Sequence, residues 1–127
     1  MILAIVVGSA GSVGAVTRYL LDGMIQDRTS KTFPYGILVI NVVGSFILGA
    51  VTEMALKFGL PGSVSAVVGA GFCGALTTWS TASWETVRLA EEGFAAQALM
   101  AGVGGLVTSM IAAGVAMALV AAVSFAF

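Results

Sequence analysis

Between Gly69 and Glu85 the chain reads GAGFCGALTTWSTASWE, an apolar run that carries hydroxyls at Thr77, Thr78, Ser80 and Thr81 and ends in a carboxylate. The chain has no histidine, and its single cysteine, Cys73, lies inside this run, so neither a disulfide framework nor a Cys/His metal site can be built within one chain. Without histidine, and with no lysine inside an apolar run, a nucleophile and its base cannot be assembled, which argues against an enzyme. What the segment can do is bend. Gly74 supplies flexibility, and serine and threonine side chains can bond the carbonyls of the preceding turn. A break between Gly74 and Trp79 would free backbone carbonyls, oxygen ligands of the kind that hard monovalent cations accept at membrane depth. The alternative is that the hydroxyls hydrogen-bond one helix to another.

Asn41 lies in the apolar stretch ILVINVVGSFILG, with Ser45 four residues on and therefore on the same helix face. The asparagine amide has two N–H donors. A donor stripe without positive charge suits a small, strongly hydrated anion, because it replaces hydration contacts without binding the ion too tightly to release it. An interhelical hydrogen bond with no transport role is the competing reading. Arg18 and Glu85 are costly at membrane depth unless they are paired or near water. Arg18, at a span end, reads as an anchor, whereas Glu85 is suited to a vestibule. Trp84 reads as packing or interfacial anchoring. Trp79 falls in the break itself, where the positive edge of its ring could meet an anion.

These residues need elements to hold them, and composition supplies those elements. Of the 127 residues, 59% are hydrophobic and 9% charged, a membrane composition in which about 20 apolar residues suffice for one crossing. The expected fold is all-α, a single domain of four transmembrane helices. The expected spans are residues 2–21, 34–57, 63–92 with a break near 74–79, and 95–123. Pro34 and Tyr35 suit the opening of the second span, and Lys57, Gly59, Pro61 and Gly62 its end. Gly102, Gly104 and Gly105 would let a neighbouring helix approach the fourth. The N-terminal stretch has no basic segment ahead of it and reads as a retained first span. The formal net charge is −1, with no basic cluster, so a nucleic-acid partner is set aside. Arg28, Lys31 and Arg88 on one side stand against Lys57 and the terminal amine on the other. This weak bias favours both termini outside and leaves open insertion in both orientations.

Three motifs resemble the Fluc/CrcB family of fluoride channels. AGSVGAVTRY resembles GGxxGAxxRY, with Ala10 for the first glycine; GILVINVVGSFILG resembles GTLxVNxxGSFxLG, with Ile37 for threonine; GFCGALTTWSTASWE resembles GFCGGLTTFSTFSxE. The likeness runs in order and spacing from about residue 8 to about residue 90. It implies an antiparallel, dual-topology dimer in the inner (plasma) membrane, with two fluoride pores and a central structural sodium ion. By position, the carbonyls of Gly74 and Thr77 would hold the sodium, and Asn41 would donate to fluoride. Ser80 and Thr81 would extend the polar track, with Glu85 near it and Arg18 structural near a vestibule. The family's phenylalanine pair falls on Trp79 and Ala82, and the fourth span has no tyrosine, with Thr108 and Ser109 its central hydroxyls. The implied function is passive fluoride export by a homodimer. The altered pair leaves two variants open: changed selectivity, or a subunit that forms one half of a heterodimer. A small dual-topology drug exporter is the rival class, but it needs a carboxylate in the first helix, where none precedes Asp22. A non-transporting assembly subunit is the remaining alternative.

Overall fold

The computed structural model describes residues 1–29 and 32–125, so the charge at Lys31 lies outside the described residues. Four apolar segments long enough to cross a membrane make up the described chain. The first is α1 (Ile2–Gln26) and the second is α2 (Tyr35–Phe58). The third comprises α3 (Gly62–Ser65), a π-helical stretch (Ala66–Cys73), α4 (Gly74–Leu76) and α5 (Trp79–Glu91). The fourth comprises α6 (Ala95–Leu99), a second π-helical stretch (Met100–Gly104) and α7 (Gly105–Ser124). The chain is a multi-pass membrane protein. In hydrocarbon every backbone group needs a partner from the protein, and helices satisfy that need locally.

Helix α1 continues past the expected end at residue 21, because the polar residues there find protein partners. The Asp22 carboxylate packs against Gly36, and Gln26 Nε2 donates to the Phe33 carbonyl at 3.1 Å. Pro34 stands just ahead of α2 rather than inside it, and its carbonyl accepts from Leu38 N–H at 3.2 Å. Helix α2 stops at Gly59, whose φ of 65° is left-handed. Helix α5 stops at Gly93, with φ 87°. There Gly93 N–H bonds the Ala90 carbonyl at 3.1 Å and Phe94 N–H the Leu89 carbonyl at 2.8 Å, the paired closure that lets a helix end and the next begin within three residues.

The closest helix approaches use glycines other than the three expected in the fourth span. A methyl on Gly14 would collide with the Phe72 carbonyl, and one on Gly49 with the backbone at Ala113. Gly14 thereby seats α1 on the π-helical stretch of the third span, and Gly49 seats α2 on α7, the most extensive helix pair. Gly102 meets Thr86 and Gly105 meets Leu38, but nothing approaches Gly104. Most hydroxyls away from the break bond their own helix instead of a neighbour. Ser9, Ser12, Thr17, Thr52, Thr86 and Thr108 each donate to the carbonyl four residues back.

Candidate ion pathway at the helix break

The interruption of the third span falls on two residues. Gly74 is helical, with φ −63° and ψ −32°. Thr77 (φ −76°, ψ 156°) and Thr78 (φ −147°, ψ 121°) are extended, and α5 starts anew at Trp79. The break is thus narrower than the expected 74–79.

Asn41, from the N-terminal third of α2, occupies the gap. Its Nδ2 donates to the Thr78 carbonyl at 3.0 Å, and its Oδ1 accepts from Thr78 N–H at 2.8 Å. The side-chain amide thus substitutes for a stretch of missing helix, bonding both backbone groups of one residue. One of its two donors is spent in doing so; a single N–H remains for anything else. The Thr78 hydroxyl caps the new helix by accepting from Thr81 N–H at 3.2 Å, and it also contacts the hydroxyls of Thr81 (3.1 Å) and Ser80 (3.3 Å).

These diversions have a consequence for two carbonyls. In an unbroken helix Gly74 would accept from Thr78 N–H, and Thr77 from Thr81 N–H. Here the first donor goes to Asn41 Oδ1 and the second to Thr78 Oγ1. Among the described residues no other backbone donor reaches either oxygen. The freed carbonyls belong to the residues on which the resemblance puts the sodium, so the donor set fits a hard cation.

An open groove of about 470 Å³ runs along the break between α2, α5 and the fourth span. Asn41, Ser45, Thr77, Trp79 and Ala82 line it together, joined by Thr78, Ser83, Thr86 and Ser109. Ser80, Thr81 and Glu85 are outside the groove of this single chain. Among the described residues the hydroxyls of Ser45, Ser83 and Ser109 make no hydrogen bond to protein, so their donors are free for an occupant. Trp79 is 69% exposed, as befits a ring at an open groove, and Ala82 offers only a methyl beside it.

Arg18, Asp22, Glu85, Arg88 and Glu92 gather at one end, whereas Glu53 and Lys57 lie in the last turns of α2. Glu85 is paired with Arg88 at 2.7 Å, and Arg88 also reaches Glu92 at 3.0 Å. Arg18 makes no ion pair among the described residues, although it and Glu85 lie within electrostatic reach of Asp22. Trp84 is 61% exposed, with the Arg88 guanidinium 6.0 Å above its ring. Sequence reasoning passed over Thr78 as a site residue, and also the role of Arg88. The signals were present: a threonine one residue before a new helix is a cap, and Glu85, Arg88 and Glu92 have the spacing of neighbours on one helix face.

Fold and site together define a small four-span membrane protein whose third span is interrupted, pinned by a half-buried amide, and lined with neutral donors. The chain belongs to the CrcB family: the model of the CrcB-like protein, Camphor Resistance (CrcB), matches residues 5–122. It is 47% identical over 113 residues to a fluoride-specific ion channel, FluC 1, of Leifsonia xyli subsp. xyli, an alignment that takes in 89% of this chain and 82% of the relative. It is 42% identical over 114 residues to the fluoride-specific ion channel FluC 2 of Haloarcula marismortui, covering 90% of each. Both of these relatives are named as channels, and the family is one of channels rather than enzymes.

Proposed function

We propose that the chain is a passive fluoride channel of the plasma membrane, through which cytoplasmic fluoride leaves after entering the cell as its neutral acid. The observation that carries this reading is the Asn41–Thr78 clamp beside a groove of uncharged donors. Fluoride is small and strongly hydrated, so a pathway must offer hydrogen-bond donors in place of water. A fixed cation among those donors would hold the ion too long. The remaining Asn41 N–H and the hydroxyls of Ser45, Ser83 and Ser109 meet both requirements, while Ser80 and Thr81 extend the track in the assembled channel.

In this reading two copies insert in opposite orientations and their breaks meet at the centre. The Gly74 and Thr77 carbonyls of both copies then hold one sodium ion, whose charge offsets the carbonyl dipoles. Two fluoride pores flank it, with Glu85 near each pore and Arg18 structural near the vestibule.

The test is fluoride efflux from proteoliposomes, read with a fluoride electrode beside a chloride control. Fluoride leaves and chloride stays; no fluoride flux from monodisperse protein removes the homodimeric channel. In Asn41→Asp the flux stops, because the carboxylate repels anions and can no longer donate to the Thr78 carbonyl.

The Ala82 methyl beside Trp79 in the groove favours a second reading, in which the chain is a pore-altered subunit with changed selectivity or one half of a heterodimer. Co-expression with a related subunit separates the two: stable co-purification, with the lone chain inactive, supports the heterodimer.

A further inference from the structure

The end of the groove nearest the α1–α2 connection is bounded by Phe33, Pro34 and Val87; Arg88 follows Val87 in sequence and donates to the carbonyl of Thr32, the residue before Phe33. Its guanidinium makes three sets of contacts. Nε and Nη2 both donate to Glu85 Oε2, at 3.0 and 2.7 Å. Nη1 donates to both carboxylate oxygens of Glu92, each at 3.0 Å. Nη2 also donates to the Thr32 carbonyl at 3.2 Å, which ties α5 to the connection that carries Phe33 and Pro34.

The two carboxylates are not equivalent. The Glu92 side chain is 44% exposed, so water and salt screen it, and its pairing with Arg88 contributes little. The Glu85 side chain is 18% exposed, and a second carboxylate, Asp22, lies within its electrostatic reach. Arg18 faces Asp22 but makes no ion pair with Glu85. Without Arg88, Glu85 would therefore stand as an uncompensated negative charge one residue before Thr86, which lines the groove.

We propose that Arg88 is a positioning residue of the ion pathway: by chelating Glu85 and bonding the Thr32 carbonyl, it cancels a carboxylate that adjoins the groove-lining Thr86 in sequence and lets an anion approach. This rests on the channel reading, in which the groove conducts fluoride. The charge is the operative part, because an uncancelled carboxylate near an anion route repels the ion, here by enough to lower occupancy about tenfold.

The experiment is a double-mutant cycle on proteoliposome fluoride efflux with wild type, Arg88→Gln, Glu85→Gln and the double variant, each checked for a monodisperse peak in detergent. Arg88→Gln lowers flux about tenfold, and the deficit shrinks as an impermeant salt is added, because screening weakens repulsion. On the Glu85→Gln background the same Arg88→Gln step has little further effect. Equal flux in Arg88→Gln and wild type overturns the proposal. So does a salt-independent loss of the same size on both backgrounds, which would mark Arg88 as structural only. If Arg88→Gln is not monodisperse, Arg88→Lys carries the test. It keeps the charge and retains most of the flux; a tenfold loss there overturns the proposal. A wild type that passes no fluoride sinks the channel reading instead, and the control exposes that case separately.

Discussion

Asn41 bonds two backbone groups of Thr78 at once, and that geometry separates two roles that a single substitution can confuse. Asn41→Ala orphans a half-buried N–H and C=O, at about 1–3 kcal/mol each. The expected result is a lower unfolding temperature in detergent as well as lost flux. Thr78→Val removes the cap that accepts from Thr81 N–H, about 1 kcal/mol, and the hydroxyl contacts with Ser80 and Thr81, but keeps both backbone bonds to Asn41, and so shifts the unfolding temperature less than Asn41→Ala. A Thr78→Val variant less stable than Asn41→Ala would mean that the hydroxyl cluster, rather than the amide, holds the break. The break was legible in the sequence as a glycine followed by crowded hydroxyls. The identity of its partner was not, because Asn41 and Thr78 are 37 residues apart and only packing brings them together.

At the scale of helices, contact depends on where backbones touch without a side chain between them. Gly49 on α2 lies against the backbone at Ala113, so Gly49→Ala forces the two helices apart and destabilises by about 1–3 kcal/mol. Gly104 meets nothing within 4 Å, so Gly104→Ala is tolerated in the single chain. Thermal unfolding of the two variants side by side checks this; similar losses in both would place the helix contact elsewhere. Read from the sequence, the glycines of the fourth span were the natural candidates because they are clustered. The structure instead uses isolated glycines on α1 and α2, because each sits at the depth where a neighbouring carbonyl crosses its face.

For the whole molecule, the proposed dimer makes sodium a structural ligand, and ligands that bind only the assembled state raise its stability by mass action. Transferring the protein from sodium to a sodium-free buffer with a bulky organic cation therefore lowers its unfolding temperature, and returning sodium restores it. Unchanged stability across that exchange would remove the sodium from the Gly74 and Thr77 carbonyls. The exposed apolar side chains around α1 and α7, such as Val13, Val16, Met110 and Ile111, are available to lipid or to a second copy.

The apolar composition alone determined that the chain crosses a membrane several times, since so few charges leave no other place for these residues. The motif spacing determined the family, and the glycine and hydroxyl pattern located the bend to within a few residues. Only the tertiary structure decided which donors were diverted. A freed carbonyl is created when its N–H partner turns to a side chain, and that exchange is between α2 and the third span. Local sequence could pair Arg88 with Glu85 by helix spacing, but it could not show that the same guanidinium holds the Thr32 carbonyl, 56 residues away in the chain. Neighbours along a helix can be counted from the sequence, but bonds between helices exist only once the bundle has closed.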